Sequence, residues 1–182
     1  LIAAYGIFLM IKERREMNLS KGSIEFISVI CKAIKTRNFL EIGTFNGYSA
    51  LNFSLVCKKV VSLEIDEENY KVAKENLKRA ECKNVEIIKG NAIETLKQLR
   101  ENFDVILIDG MKSEYVEYLK LSLKLLNKNG LIFVDNTISH KDYLNEFFEY
   151  LKENKLYYQE LGLGKGLIMV TKSKLSIFKS VI

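Results

Sequence analysis

The stretch LEIGTFNGYSA, residues 40–50, gives the strongest indication of how this chain folds. It joins a short apolar run to a segment with helix-like spacing of apolar residues. Gly43 and Gly47 permit a tight turn between the two and let the backbone approach a ligand closely. In open α/β sheets, ligands bind beyond the carboxyl ends of the strands. The stretch therefore predicts a strand, a loop and a helix, with a ligand site at the loop.

The rest of the chain repeats this alternation of short apolar runs and amphipathic segments. The predicted parallel strands are 38–42, 59–65, 84–89, 103–108 and 130–134. The predicted helices are 2–17, 23–36, 47–57, 67–80, 92–101, 113–127 and 140–154. Such alternation predicts βαβ units and a mostly parallel sheet, and near-continuous apolar strands are typical of a sheet covered on both faces.

The end of the chain has a different pattern. Residues 156–161 and 166–171 are strand-like, and only GLGKG joins them. A short glycine-containing link favours an antiparallel hairpin at the edge of the sheet. At the other end of the chain, Ser20 or Ser23 is placed to cap the helix predicted over 23–36.

Length and composition indicate a globular protein with one core. The chain has 182 residues, of which 48% are apolar and 28% charged. We expect one domain over 1–182, made of N-terminal helices, a core and a tail at 1–36, 37–172 and 173–182. Cys31, Cys57 and Cys82 are widely spaced and form no zinc-binding pattern, so they predict free thiols and a cytoplasmic location.

The first eleven residues, LIAAYGIFLMI, are strongly apolar but too few to span a bilayer. Signal peptides carry their positive charge before the apolar stretch, whereas here Lys12, Arg14 and Arg15 follow it. The segment therefore predicts a helix packed on the domain or in a dimer interface, with no membrane association. Because the first residue is Leu1, we expect the chain to begin inside a longer protein.

The net charge of +5 is confined to one part of the chain. Residues 1–60 carry nine Lys or Arg and four Asp or Glu, while residues 61–182 carry nineteen of each. An excess of positive charge can attract an acidic partner such as RNA. A solvated helix face would give the same composition, and no cluster of basic residues interleaved with aromatic residues favours RNA.

Residues just past the second and third predicted strands suggest nucleoside binding. Glu64 lies 21 residues after Gly43, where a carboxylate can accept hydrogen bonds from ribose, although it can equally mark the acidic start of a helix. Residues 90–92, Gly-Asn-Ala, offer amides that can recognise an adenine. A dinucleotide fingerprint needs glycine where Phe45 and Tyr48 stand, which disfavours NAD.

Oxygen ligands follow the fourth and fifth predicted strands. Asp109 ends one strand, and Asp135 and Asn136 end the next. Two carboxylates and an amide oxygen on adjacent strand ends suit a hard cation such as Mg²⁺. The alternative is a pair of helix caps. His140 has the pattern of a cap or surface residue rather than a ligand.

These residues together resemble the class I S-adenosylmethionine-dependent methyltransferases, and among them the metal-dependent O-methyltransferases of the catechol and caffeoyl-CoA type. The resemblance runs from Met17 to Lys172. Its motifs are Met17-Asn18-Leu19 before Lys21-Gly22, LEIGTFNGYSA at 40–50, VVSLEID at 60–66, DGMK at 109–112, VDN at 134–136 and GLGKGLIMVTK at 162–172.

The resemblance implies a fold, a reaction and a set of site residues. The fold is a Rossmann-like sheet of seven strands in the order 3-2-1-4-5-7-6, with strand 7 antiparallel and helices on both faces. The reaction is methyl transfer from S-adenosylmethionine to a hydroxylated small molecule with Mg²⁺ as the cation, catalysed by a homodimer. The implied cofactor-binding residues are Leu19, Glu41, Gly43, Phe45, Gly47, Tyr48, Ser49, Glu64, Ile65, Gly90, Asn91, Ala92 and Asp109. Asp109, Asp135 and Asn136 would hold the metal.

Lys112 is the implied general base, acting with Asp109. A lysine can take this role when burial and a nearby cation favour its neutral form. Without that neighbourhood it would be an ordinary surface lysine. The chain departs from the family at Met111, where an acidic or aromatic residue is usual, and at Thr137–His140, which help to shape the acceptor pocket.

These departures leave rival interpretations open. One is methylation of a hydroxylated wobble uridine in tRNA, since the site has little covering sequence and the N-terminal third is basic. Another is a cofactor-binding module that has lost catalysis. An NAD-dependent oxidoreductase is the most distant.

Overall fold

The computed structural model describes residues 17–138 and 144–172. The helix predicted over 2–17, His140 and the tail 173–182 lie almost wholly outside this range. The helices are α1 Lys21–Ala33, α2 Tyr48–Ser54, α3 Glu67–Arg79, α4 Ala92–Gln98, α5 Tyr115–Leu125 and α6 Asn145–Glu153, with a 3₁₀ turn at Lys112–Glu114. The strands are β1 Asn38–Ile42, β2 Lys59–Glu64, β3 Val85–Lys89, β4 Phe103–Ile108, β5 Leu126–Asp135, β6 Tyr157–Leu161 and β7 Leu167–Thr171.

Seven strands form one sheet in the order β3-β2-β1-β4-β5-β7-β6. The first five strands are parallel to one another, while β7 is antiparallel to β5 and β6 is antiparallel to β7. The predicted order and the antiparallel seventh strand are therefore confirmed. The register places Asp135, at the end of β5, opposite Leu167, at the start of β7. The loop between β6 and β7 consequently lies beside the carboxyl end of β5.

Helices cover the two faces of the sheet and bury a separate core on each. On one face, α1 and α2 pack on the sheet, and the rings of Phe39 and Phe53 stack with centroids 4.4 Å apart. On the other face, α4, α5 and α6 pack on β4 and β5, where Tyr115 and Phe147 meet edge to face. Burial on both faces explains why the strands read as near-continuous apolar runs.

Among the element boundaries that differ from the sequence-based prediction is the one between α5 and β5. Helix α5 ends at Leu125 and β5 begins at once at Leu126, although a helix was expected to continue to residue 127 and the strand to start at 130. Leu126 pairs with Phe103 of β4 and is buried. Leucine fits a helix equally well, so its pairing within the sheet, and not its helix propensity, determines where the strand begins. At α1, Ser20 is the cap, since its hydroxyl accepts from the amide of Ser23 at 3.0 Å.

The three cysteines are free thiols; Cys31 and Cys57 are buried and Cys82 is half-buried. Within the described ranges, every helix is too short or too polar to cross a membrane.

Candidate active site

A cleft of about 420 Å³ opens at the carboxyl ends of the parallel strands. This volume lies within the usual range for small-molecule sites, about 300–1,000 Å³. Loops after β1, β4 and β5, the end of β2, the segment before α1 and the β6–β7 loop all contribute to its wall. The predicted site residues that line it are Leu19, Gly43, Phe45, Ser49, Glu64, Asp109, Lys112 and Asn136.

The loop after β1 is held tightly against the loop after β4. The amide of Asp109 donates to the carbonyl of Ile42 at 2.9 Å, and the amide of Gly43 donates to the carbonyl of Leu63 at 3.0 Å. Gly43 has φ of 100°, and a Cβ atom there would stand 2.3 Å from the carbonyl oxygen of Asp109. Only glycine fits this contact. The close approach predicted for Gly43 is thus made to Asp109 within the protein.

Glu64 connects the loop after β1 to the start of α3. One carboxylate oxygen accepts from the amide of Phe45 at 2.7 Å and the other from the amide of Asp66 at 2.9 Å. The cap of α3 is Asp66, whose carboxylate accepts from the amide of Asn69 at 2.8 Å. Glu64 is therefore not the helix cap. It is a largely buried carboxylate fixed in the wall of the cleft.

Glu41 lies fully buried under the same loop. The hydroxyl of Ser62 donates to Glu41 Oε2 at 2.5 Å, and the hydroxyls of Ser62 and Thr44 lie 2.5 Å apart. Glu41 Oε1 has no hydrogen-bond partner. Burial raises the pKa of Glu41 to about 8, although the hydroxyls of Ser49 and Ser62 oppose that rise. Glu41 is thus an acidic group that favours its neutral form in the free protein.

Asp109, Asp135 and Asn136 come together at the ends of β4 and β5. The amide nitrogen of Asn136 donates to Asp109 Oδ1 at 2.8 Å. Burial, followed by the charge of Asp135, raises the pKa of Asp109 to about 7, against the opposing charges of Lys112 and Lys165. Burial likewise raises the pKa of Asp135 to about 6. Asp135 Oδ1 is buried and lacks a hydrogen-bond partner. The cluster is therefore an unfavourable place for two negative charges unless a cation joins them.

Lys112 lies beside this cluster, at the start of the 3₁₀ turn. Its ammonium is 3.6 Å from Asp109 Oδ1 and donates to the carbonyl of Gly110 at 3.1 Å. It also stands 5.5 Å from the ring centroid of Tyr115. Tyr115 is buried, and its hydroxyl donates to the carbonyl of Asp135 at 3.2 Å. One tyrosine thus contacts both Lys112 and the backbone of Asp135.

Several predicted cofactor-binding residues lie outside the wall of the cleft. They are Glu41, Gly47, Tyr48, Ile65, Gly90, Asn91 and Ala92. Gly47 adopts φ of 81° at the start of α2, packed against Ala73. Tyr48 packs into the cluster around Leu51 and Leu77. Asn91 caps α4, because its side-chain oxygen accepts from the amide of Glu94 at 3.2 Å.

Other lining residues were not predicted as site residues. They are Met17, Asn18, Thr44, Asn69, Gly110 and Lys165. Lys165 is the most consequential, because it adds a second cationic side chain. A signal for it was available: strand 7 was expected to be antiparallel, and its pairing with β5 would bring the GLGKG loop next to Asp135.

Comparison with known proteins assigns the chain to a family. A family model described as O-methyltransferase matches residues 8–162. The chain belongs to this O-methyltransferase family. A catechol O-methyltransferase of Niastella koreensis is 33% identical over 138 residues, which cover 71% of this chain and 62% of that protein. Caffeoyl-CoA O-methyltransferase 1 of Nicotiana tabacum is 28% identical over 171 residues, covering 88% of this chain and 72% of that protein.

The fold of this O-methyltransferase is shared with solved structures. The methyltransferase PaMTH1 of Podospora anserina, bound to SAH, aligns with a TM-score of 0.84 at 22% identity, and the alignment covers 95% of this chain and 87% of that chain. The predicted class I S-adenosylmethionine-dependent O-methyltransferase family and its Rossmann-like fold are confirmed.

Proposed function

We propose that this O-methyltransferase transfers the methyl group of S-adenosylmethionine to a hydroxyl group of a small, catechol-like acceptor, with a divalent cation held by Asp109, Asp135 and Asn136. The observation that carries the proposal is the meeting of these three side chains with Lys112 at the carboxyl ends of β4 and β5. The names of the catechol and caffeoyl-CoA relatives support an acceptor of this kind.

The donor set fits a hard cation. Asp135 Oδ1 is buried without a hydrogen-bond partner, and the pKa of both carboxyl groups is raised, chiefly by burial. An unpaired buried carboxylate is costly, and a bound cation removes that cost. Oxygen ligands without histidine or cysteine suit Mg²⁺. A cation bound there supplies positive charge that stabilises the ionised hydroxyl of the acceptor.

The other side of the cleft suits the methyl donor. Glu64 can accept hydrogen bonds from ribose hydroxyls, since each of its oxygens uses only one contact with a backbone amide. Gly43, Ser49 and Leu19 line the same cleft as Glu64 and Asp109. S-adenosylmethionine, when bound, supplies a methyl group on a sulfonium centre, which an oxygen can attack in line. The role of these residues is to orient it.

Lys112 is the residue best placed to remove the proton from the acceptor. Its ammonium lies within 3.6 Å of Asp109 and is a quarter exposed, so a substrate hydroxyl in the cleft can reach it. A positioned base contributes about 10²–10⁴-fold to a rate. We therefore expect Lys112→Met to lower kcat by at least about 100-fold, with a small effect on KM for S-adenosylmethionine.

Methyl transfer to catechol, measured with and without a chelator, tests the proposal. Activity should require added Mg²⁺, disappear with the chelator and fall at least about 100-fold in Asp109→Ala. Lys78→Met, on an exposed position of α3 outside the cleft, is the control variant. Turnover that neither the chelator nor Asp109→Ala changes would contradict the metal-dependent mechanism. Turnover of any acceptor would exclude a cofactor-binding module without catalysis.

Calorimetry with S-adenosylhomocysteine and with NAD tests the donor separately. We expect binding of the first and none of the second. The bulky residues Phe45 and Tyr48, where a dinucleotide fingerprint requires glycine, support this expectation. Binding of NAD alone would replace the methyltransferase proposal by an oxidoreductase one.

A tRNA acceptor is a second candidate, supported by the charge distribution of the chain. Residues 1–60 carry nine basic and four acidic side chains, which would favour an RNA partner. Incubation with tRNA lacking the modification and with labelled methyl donor tests it. Label that stays off the RNA would count against this candidate.

A further inference from the structure

We propose that the end of the sheet opposite the cleft is a docking surface for RNA, which binds there through its phosphates and is not the methyl acceptor. The inference goes beyond the proposed function, because the cleft takes no part in it. We call this surface the far end. It lies where strands β1 to β6 begin and where β7 ends, and it consists of residues 34–37, 55–58, 80–84, 99–102, 127–129 and 154–156 and of Lys172.

The far end concentrates positive charge. It carries eight basic side chains, all exposed, and two acidic ones, an excess of six, whereas the whole chain has a net charge of +5. One of the two acidic residues, Glu101, is paired with Lys59 of β2 at 2.7 Å. The basic residues are Lys35, Arg37, Lys58, Lys83, Arg100, Lys128, Lys155 and Lys172.

The neighbouring charges leave most of this excess in place. The charged residues in the first two positions of the strands are Lys59, Glu86 and Asp104, and they lower the excess from six to five. Basic residues in the last turns of helices, such as Lys32 and Lys124, offset the negative helix ends, so the count does not include them.

Hydrogen bonds join the far end into one surface across the middle of the sheet. The amide of Lys59 donates to the carbonyl of Arg37 at 2.8 Å, and the amide of Arg37 donates to Asp104 Oδ2 at 2.8 Å. Asn127 Nδ2 donates to the other carboxylate oxygen of Asp104 at 2.7 Å. Strands β2, β1, β4 and β5 are thereby connected where they begin.

The same connection extends towards both edges of the sheet. Asn84 Nδ2, before β3, donates to the carbonyl of Cys57 at 3.1 Å, and Lys172 Nζ, after β7, donates to the carbonyl of Leu126 at 2.8 Å. Side-chain and backbone contacts therefore link the loops of six neighbouring strands, from β3 to β7. At about 4.8 Å between strands, this surface is roughly 24 Å wide, which is enough for several phosphates of one RNA strand.

The loops around the cleft lack this excess of positive charge. Including the 3₁₀ turn, their described residues carry two basic side chains, Lys112 and Lys165, and three acidic ones, Asp66, Asp109 and Glu114. These loops are residues 17–20, 43–47, 65–66, 90–91, 109–114, 136–138 and 162–166. Because the positive charge is concentrated at one end of the molecule, a polyanion is steered to the far end rather than to the cleft.

The other side chains of the far end suit RNA better than a lipid surface. Asn102 and Asn129 are exposed carboxamides, which can donate to phosphate and sugar oxygens. Tyr157, at the start of β6, is 38% exposed and offers a ring on which a base can stack. The exposed large aliphatic side chains of these segments are Ile34 and Leu55, whereas a protein that enters a lipid surface does so with a continuous apolar face.

Fluorescence anisotropy with a labelled uridine-only RNA of about 20 nucleotides tests the inference. We would compare the full chain with two variants that lose the same number of charges. The far-end variant combines Lys58→Gln, Lys83→Gln and Lys128→Gln. The control variant combines Lys71→Gln, Lys74→Gln and Lys120→Gln, at exposed positions within α3 and α5.

The far-end variant should bind the RNA at least about tenfold more weakly than wild type at about 50 mM KCl, and the control variant should stay within about threefold. The slope of log Kd against the logarithm of the KCl concentration should fall by about 2 in the far-end variant, since each phosphate contact on a single strand contributes about 0.7. Methyl transfer to catechol should be equal in all three proteins, because the substituted residues lie outside the cleft.

Failure of this inference is distinguishable from failure of the proposed function. RNA binding at the far end without methyl transfer to any acceptor would support the inference and contradict the proposed function. The inference would be overturned if wild type did not bind the RNA, or if both variants weakened binding equally, since net charge alone would then explain it. Binding to vesicles of phosphatidylserine and phosphatidylcholine but not to RNA would also overturn it. Transfer of label from S-adenosylmethionine to the bound RNA would make RNA the acceptor and overturn it as well.

Discussion

Gly43 and Asp109 touch so closely that a single added methyl group on Gly43 would lie 2.3 Å from the carbonyl oxygen of Asp109. This contact joins the loop after β1, on the side of the cleft proposed for the methyl donor, to the loop after β4, on the side proposed for the acceptor. The two loops are therefore fixed to each other by backbone contacts, this one and the hydrogen bond from the amide of Asp109 to the carbonyl of Ile42.

The first prediction concerns this contact. Gly43→Ala should lower the free energy of unfolding by about 3 kcal/mol, because the new Cβ meets backbone atoms and the residue must keep a positive φ. Gly162→Ala is the matched control, since no atom lies within 4 Å of a Cβ built there, and its effect should stay within about 1 kcal/mol. Chemical denaturation of both variants measures the difference. Equal stability of the two variants would show that the loop after β1 can shift to accommodate the added Cβ atom.

How much of this site could be predicted from the sequence depends on how local each signal is. The strands and the Asp109, Asp135 and Asn136 cluster could be predicted, because apolar runs and the residues that follow them are local patterns. The strand order came from the family resemblance. Asn91 was assigned to adenine recognition because it follows β3, but its side chain satisfies the nearest amide donor and caps α4.

Long-range features were harder to predict. Complete burial of Glu41 follows from the loop that closes over it and from Ser62 on the adjacent strand. Neither is visible in the residues around position 41. Lys165 lies at the cleft because β7 pairs with β5, which places the β6–β7 loop beside Asp135. Its position could therefore be predicted only from a correct strand order.

The second prediction concerns pH and Glu41. Burial raises its pKa from the ordinary 4.5 to about 8. The folded protein therefore holds this proton more tightly than the unfolded chain, and stability should fall as pH rises from about 4.5 through 8. Glu41→Gln keeps an acceptor for Ser62 and cannot ionise, so it should reduce this fall by a few kcal/mol. Denaturation at a series of pH values without metal or ligand measures the slope.

Glu160→Gln, on an exposed position of β6, controls for the substitution itself. Asp109 and Asp135 contribute in the same direction in both proteins, so the comparison isolates Glu41. A Glu41→Gln profile parallel to that of wild type would mean that the carboxyl group is ionised within the folded protein at neutral pH.

The third prediction concerns Tyr115 as a positioning residue. Its hydroxyl donates to the carbonyl of Asp135, and its ring lies under the ammonium of Lys112. Tyr115→Phe keeps the ring and removes the hydroxyl, so it should cost about 1 kcal/mol of stability. It should also lower kcat about tenfold, with little change in KM for the methyl donor, because the carbonyl of Asp135 loses the hydrogen bond from Tyr115 beside the proposed metal ligands.

Tyr118→Phe is the matched control. Its hydroxyl bonds to Glu114 rather than to a residue of the site, so we expect kcat close to wild type. Equal kcat in the two variants would show that the Tyr115 hydroxyl does not position the site and that Tyr115 serves only to pack the core. Steady-state kinetics in saturating Mg²⁺, with thermal unfolding of the same samples, distinguishes a loss of positioning from a loss of folding.

The fourth prediction concerns the cation and Asp135. Burial raises the pKa of this group from 3.8 to about 6, and Asp135 Oδ1 lacks a partner. Ionisation of Asp135 therefore destabilises the metal-free protein above about pH 6, so Asp135→Asn should be more stable than wild type at pH 8 by about 2 kcal/mol. At pH 4 the advantage should be much smaller, because the folded wild type is then protonated at this position. Mg²⁺ should raise the Tm of wild type and leave that of Asp135→Asn unchanged.

Asp104→Asn, on the neighbouring strand β4, is the control, because the pKa of Asp104 is lowered whereas that of Asp135 is raised. Although burial acts to raise the pKa of Asp104, hydrogen bonds from the amides of Arg37 and Asn38 and from the side chain of Asn127 lower it overall. Asp104→Asn should therefore lose stability at pH 8 and keep its response to Mg²⁺.

If Mg²⁺ stabilised Asp135→Asn as much as wild type, the cation would bind elsewhere. If Asp135→Asn were less stable than wild type in metal-free buffer at pH 8, the carboxylate would have a partner within the protein, and the need for a cation at this position would disappear.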